Sequence, residues 1–364
     1  MSAQPRHLDA LTGIRGIAAW GVVLYHVRVS LLNIMPGGAI AVLAKGYLAV
    51  DLFFMLSGFV IWLNYAERIA GGGSGEVRQF LWRRFARIWP LHGVILTGFA
   101  VFALLLSASG RATDGYPWAE FPLHVLLLQN WGLTPALTWN HPAWSISTEL
   151  TAYFVFPALV MLLAPLKRSV PALLGMAALL AGAIYLLFRA FSYGVLGEAI
   201  PHLGLWRCLA EFSMGAILCL LWQHWTGSPR AAAIALFAAL VWCGITWMAG
   251  LPETALVPLL FFAGLLALAL DRGPVSWLLS TPVLRYLGEI SYSTYLSHFL
   301  LFILFKLAFV DASRQLGWPG LGGFLALVLV ASVALYHGVE KPAQRWLGRR
   351  PPRIFQPPTG IPAG

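Results

Sequence analysis

An ionisable side chain inside a long apolar run is costly unless it is paired or used, so such residues are the first candidates for chemistry. Arg15 and His26 share one of these runs, eleven residues apart. At about 100° per residue that spacing comes within roughly 20° of a whole number of turns. Both residues then lie on one helix face, about 16 Å apart along the axis. A histidine there can serve as a general base or as a nucleophile. An arginine on the same face can steady a developing oxyanion. The residues alone leave a structural alternative: Arg15 reaches toward the interface and His26 bonds a neighbouring helix.

Other segments carry further candidates. Arg84 and Arg87 are three residues apart, hence helical neighbours, and guanidinium pairs well with phosphate. They would serve equally as topological anchors. Glu149 enters an apolar run behind Trp144-Ser145-Ile146-Ser147, with Tyr153 one turn on; it must meet a cation, accept hydrogen bonds or stay protonated. Asp51 opens another run and is either solvated or an orienting partner for His26, as Glu149 could be. Arg207 and Glu211 are spaced to pair with each other. His298 has no assigned role, and Glu340-Lys341-Pro342 reads as a helix end.

The elements that must position these residues follow from composition. Hydrophobic residues make up 59% of the 364 and charged residues 10%, too few charges for a soluble surface. Apolar runs near 10–29, 46–65, 88–107, 143–163, 171–190, 205–225, 231–249, 255–270, 288–307 and 321–339 are each about long enough to cross a bilayer. The segment 121–131 is too short to cross and reads as an interfacial or re-entrant helix. The run 10–27 contains Arg15 and His26 and many runs follow it, so it is expected to be a retained first helix rather than a cleaved leader. Net charge is +10, but the basic residues sit in short connections, which argues for membrane orientation rather than nucleic acid. With the first residues cytoplasmic, 16 of the 24 lysines and arginines fall on the cytoplasmic side. Gly71-Gly72-Gly73-Ser74-Gly75 is a flexible tip on that side. Cys208, Cys219 and Cys243 lie in apolar runs without metal-ligand or disulfide spacing, and no metal site is expected.

The expected architecture is all-α: a polytopic membrane helix bundle of about ten transmembrane helices with both termini cytoplasmic. Residues 1–347 form the transmembrane domain, and 348–364 a disordered, proline-rich tail.

Six segments in order resemble acyltransferase family 3. They are Leu8-Asp9-Ala10-Leu11 with Arg15 and His26; Val50-Asp51-Leu52-Phe53-Phe54-Met55-Leu56-Ser57-Gly58-Phe59; Arg84-x-x-Arg87-Ile88-x-Pro90; Trp144-Ser145-Ile146-Ser147-x-Glu149; Ser291-Tyr292-Ser293-x-Tyr295-Leu296-x-His298; and Glu340-x-Pro342. The match covers almost the whole chain, without the soluble esterase-like domain that some members carry at the C-terminus. The resemblance implies a membrane enzyme of the plasma (inner) membrane that O-acylates surface saccharides, glycolipids or antibiotics. It implies essential roles for Arg15, His26, Arg84 and Arg87, and a lesser one for Glu149. The expected donor is acetyl-coenzyme A or another acyl-coenzyme A, its phosphates on Arg84 and Arg87. The expected acceptor is a saccharide or glycolipid hydroxyl, activated by His26 as base or acylated through it. A transporter or flippase is the rival class, but the paired broken spans of two related halves are not found.

Overall fold

The structure is a computed structural model. It describes residues 8–310, 315–349, 351–352 and 355. All regular structure among them is helical. In a hydrocarbon environment every backbone N–H and C=O must be satisfied within its own segment, and a helix does this for an apolar run of any sequence.

The long helices are α1 (Asp9–Val27), α2 (Ala49–Ala108), α3 (Ala143–Leu163), α4 (Val170–Ala190), α5 (Ile200–Trp225), α6 (Pro229–Met248), α7 (Glu253–Leu270), α8 (Ser291–Phe309) and α9 (Trp318–Leu335), followed by α10 (Lys341–Arg349). Nine helices among the described residues are long and apolar enough to cross a membrane. The ten expected runs become nine helices because the second and third belong to one element. α2 has 60 residues, about 90 Å if straight, three times a bilayer core. It bends at Gly73, whose φ of 64° and ψ of −159° suit only glycine. The two arms then double back on each other: the Tyr65 and Phe80 rings are 5.0 Å apart, where a straight helix would separate them by about 22 Å. The expected glycine tip is therefore a helical hairpin bend, and the chain is a multi-pass membrane protein.

α5 is the most enclosed span, packed on α2, α3 and α4, while α6 lies at the periphery against α7. Two glycines set the α2–α5 distance. A Cβ on Gly58 would lie 1.9 Å from the Phe212 carbonyl oxygen, and one on Gly215 2.0 Å from that of Met55. This close approach brings the polar face of α2 onto α5.

Residues 110–142 cap the bundle at one end, the far face. The expected helix over 121–131 stops at Leu126, because Leu127 turns to φ 59°. Most of the remainder is irregular backbone, and side chains satisfy its buried parts. Trp139 Nε1 donates to Pro117 O at 3.1 Å, Asn140 Nδ2 to Leu296 O at 3.1 Å, and Ser147 Oγ to Leu127 O at 2.7 Å.

The bend of α2 lies at the opposite, basic face. There α9 passes through a π-turn, Tyr336–Glu340, before continuing as α10. Pro342 has no N–H to close the ladder, which accounts for the irregular turn. The expected helix end at Glu340 is thus an internal distortion. Of the expected tail, Gly348 and Arg349 end α10, and Phe355 lies 5.2 Å from the Trp82 ring. Residues 350, 353–354 and 356–364 lie outside the described residues.

Candidate active site

Two cavities enter the bundle from opposite faces. The basic-face cavity, about 210 Å³, is lined by Arg15, Ser57, Arg84, Arg87, Glu149, Tyr153, Ser291 and Tyr292 among others. The far-face cavity, about 260 Å³, is lined by His26, Arg28, Tyr47, His141, Trp144 and Arg207 among others. Val50 and Tyr295 line both. Tyr295 is fixed at this junction: its hydroxyl donates to Pro142 O at 2.9 Å and meets Ser145 Oγ at 2.8 Å, and Phe53 packs edge-on against its ring.

In the basic-face cavity the three arginines differ in their partners. Arg87 forms an ion pair with Glu340. Ser293 Oγ donates to the other Glu340 oxygen at 2.7 Å, and the Arg87 guanidinium sits 5.4 Å from the Tyr292 ring. Arg84 meets no carboxylate among the described residues. Its Nη2 donates to Tyr65 Oη at 2.9 Å, its Cζ lies 5.0 Å from the centre of that ring, and its buried Nε has no partner among the described residues. Arg15 Nη2 donates to Ser291 Oγ at 3.3 Å, and it too has no carboxylate within ion-pair distance among the described residues. Glu149 accepts from Ser57 Oγ, and from Tyr153 Oη at 2.6 Å. Three guanidinium groups therefore face two carboxylates, leaving the cavity cationic and suited to an anionic group.

In the far-face cavity, His26 Nδ1 lies 2.9 Å from Val22 O. A carbonyl can only accept, so Nδ1 carries the proton and Nε2 keeps its lone pair. His26 Nε2 has no partner among the described residues, and the ring lines the cavity. Tyr25 and Phe299 pack edge-on against that ring at 5.0 and 5.4 Å.

Several expectations need correction. Asp51 does not orient His26 and lines neither cavity. Both its oxygens accept from Arg207, from Nε and Nη2, each at 2.6 Å. Arg207 does pair with Glu211, as the spacing suggested, but only at 3.9 Å, while its Nη1 donates to Leu196 O at 2.6 Å. The i, i+4 spacing offered a partner within one helix, but the tight α2–α5 approach supplies a better one across the interface. Glu149 does not reach His26 either, since it belongs to the other cavity. Arg15, Arg84, Arg87 and Glu149 are brought together; His26 stands apart from them across the Tyr295 junction.

Sequence reasoning missed Tyr65, and it named Tyr295 and Glu340 only within the family segments, without the roles they take here. The one available signal was Glu340 itself, a carboxylate closing an apolar run. Among the described residues no three histidine, cysteine or acidic side chains converge as a metal site would require.

Comparison with known proteins bears on the family of the chain. The chain is 30% identical to the acyltransferase MdmB of Streptomyces mycarofaciens, over 96% of this chain and 95% of that protein. It is 24% identical to putative O-acetyltransferases of Staphylococcus aureus over 84% of this chain, which spans about half (52%) of their length. It is 34% identical over 42% of its length to protein 2 of the picA locus of Rhizobium radiobacter. No solved structure matches. The profile of the acyltransferase domain of family 3 matches residues 8–337, which takes in the lining of both cavities but not Glu340, and the chain belongs to that family of acyltransferases.

Proposed function

We propose that the enzyme moves an acyl group, acetyl in the first instance, from acyl-coenzyme A to a hydroxyl of a saccharide or glycolipid. We place it in the plasma (inner) membrane with the basic face and both termini cytoplasmic. The observation that carries this reading is the pair of cavities meeting at Val50 and Tyr295, cationic on one side and histidine-lined on the other.

The residues present fit the donor. A cavity of about 210 Å³ admits a narrow acyl-pantetheine arm but not the nucleotide, which stays at the basic face. The Nε of Arg84, without a partner among the described residues, and the carboxylate-free Arg15 leave cationic donors free for phosphate. Arg87, held by Glu340, contributes position more than unpaired charge. Acyl-coenzyme A supplies the activated thioester. His26 Nε2 accepts the acceptor hydroxyl proton as the oxygen bonds to the acyl carbon and the carbon–sulfur bond breaks. It then returns that proton to the departing thiolate, so an ester and a free thiol result. Tyr47, Trp144 and Tyr295 give the far-face cavity the flat aromatic walls against which sugar rings pack. That supports a saccharide acceptor.

The test uses purified enzyme in sealed vesicles of both orientations. Acyl-coenzyme A offered at the basic face should acylate an impermeant oligosaccharide present only at the far face, releasing thiol in equal amount. Thiol release that needs both substrates at the basic face overturns the transmembrane route. Thiol release that is independent of any hydroxyl acceptor overturns the transfer itself.

A further inference from the structure

His298 is fully buried, lines neither cavity, and is not used by the mechanism above. Its Nε2 lies 3.1 Å from His26 Nδ1, and the ring centroids are 4.9 Å apart. We infer that His298 is the positioning residue of the acyl transfer, a neutral acceptor that holds the His26 ring with Nε2 toward the hydroxyl and shares the charge formed on it. This rests on the reading of His26 as the base.

The geometry assigns each nitrogen a role. His298 Nδ1 lies 2.6 Å from Tyr295 O, a carbonyl that can only accept, so Nδ1 carries the His298 proton. Its Nε2 is then a lone pair aimed at His26 Nδ1–H. That proton already reaches Val22 O at 2.9 Å, so it is shared between two acceptors. One acceptor lies on α1 and the other on α8, and together they fix both tilt and rotation of the ring. A helix carbonyl alone would leave the ring free to turn about its bond to Val22.

The usual partner for a catalytic histidine is a carboxylate. None is available among the described residues: Asp51 is bound on both oxygens by Arg207, and Glu149 lies in the other cavity. Positive charge arising on His26 during attack therefore has to be met by neutral acceptors, and His298 Nε2 is the one contributed by a side chain. The opposite assignment, His298 as base, is ruled out by the same contacts. Both its nitrogens are engaged and its side chain is closed off from the substrate cavities.

His298 also ties the site to the junction. Its Nδ1 partner is the backbone of Tyr295, whose side chain separates the two cavities. One turn of α8 thus sets both the passage for the acyl group and the orientation of the base.

The experiment compares His298→Leu, His298→Gln and His26→Ala in purified enzyme, with full kinetics for donor and acceptor. Partners that orient a metal-bound histidine matter by about 10- to 100-fold, and the same order is expected for this orienting contact. His298→Leu should lower kcat by about that factor with both KM values unchanged. Glutamine places an amide oxygen near the Nε2 position and should restore most of kcat. A kcat unchanged in His298→Leu overturns the inference while leaving His26 as base. So does equal loss in the leucine and glutamine variants, or loss carried by KM, since each describes packing rather than a directed acceptor. Wild-type turnover in His26→Ala would instead overturn the reading of the base itself, and the two failures are distinct.

Discussion

Replacing Asp51 by alanine should damage stability first, and activity only through stability. Asp51 is 0% and Arg207 1% exposed, and the two make a two-pronged contact at 2.6 Å on each arm. Without Asp51 the guanidinium keeps Leu196 O and a carboxylate 3.9 Å away, too far to hydrogen-bond. Breaking a buried pair from one side costs about 3–5 kcal/mol, because an uncompensated charge remains inside. For a large domain, where 1 kcal/mol moves the melting temperature by about 2–4 °C, the shift is on the order of 6–20 °C. Thermal unfolding followed by tryptophan fluorescence in nanodiscs measures it. The triple variant Asp51→Leu, Arg207→Met and Glu211→Leu should recover much of the loss, since Glu211 is buried and paired to Arg207 and apolar replacement of an entire buried ionic group is close to neutral. It should also acylate at a temperature well below its own melting point. An Asp51→Ala enzyme that melts with the wild type yet is inactive would refute this reasoning and make Asp51 a participant in the chemistry.

Arg84→Ala should raise the donor KM by about tenfold or more, because one charge-assisted phosphate contact is worth roughly 1.5–3 kcal/mol, with the acceptor KM unchanged. An unchanged donor KM in correctly oriented protein would remove Arg84 from the donor site. Arg87→Ala should also lower stability, since it leaves Glu340, 2% exposed, with only Ser293 as partner; the melting temperature separates it from Arg84→Ala. Glu149→Gln keeps an oxygen to accept from Ser57 and Tyr153, so it should melt within a few degrees of wild type while losing activity; full turnover would make Glu149 a packing residue. The far-face cap should loosen in acid. His124, outside the spans, is held down by burial and then by the nearby histidines, from 6.5 to about 3. Its Nε2–H donates to Thr138, and a second proton would fall on a buried Nδ1 without a partner. The unfolded cap takes that proton more readily, so the contribution of His124 is intact above about pH 6.5 and is lost as pH falls toward 3. Hydrogen exchange of residues 110–142, corrected for intrinsic rates, should show it, with the transition reduced in His124→Gln; protection that stays flat down to pH 4 would contradict the assignment.

The spans were legible in the sequence for a local reason: an apolar run about twenty residues long has one way to satisfy its backbone in lipid. The short irregular cap and the π-turn were not, because nothing within 121–131 or 336–340 shows that neighbouring elements will supply hydrogen bonds. Candidate residues were legible as anomalies, charges where charge is costly, and Arg15, Arg84, Arg87 and Glu149 were picked out this way and lie around one cavity. Their partners were not legible. Asp51 meets Arg207 156 positions away, Arg87 meets Glu340 253 away, and His26 meets His298 272 away. Spacing suggested only two pairings: Tyr153 does donate to Glu149, one turn away, and Arg207 with Glu211 is the weaker of the two ion pairs that Arg207 makes. Hydropathy and helix formation are properties of a segment, and so the sequence by itself determined the membrane-spanning elements and which residues were out of place in them. Which charge neutralises which, and which histidine presents a free nitrogen, depends on how helices approach across a few ångströms at glycines such as Gly58 and Gly215, and only the tertiary structure decided that.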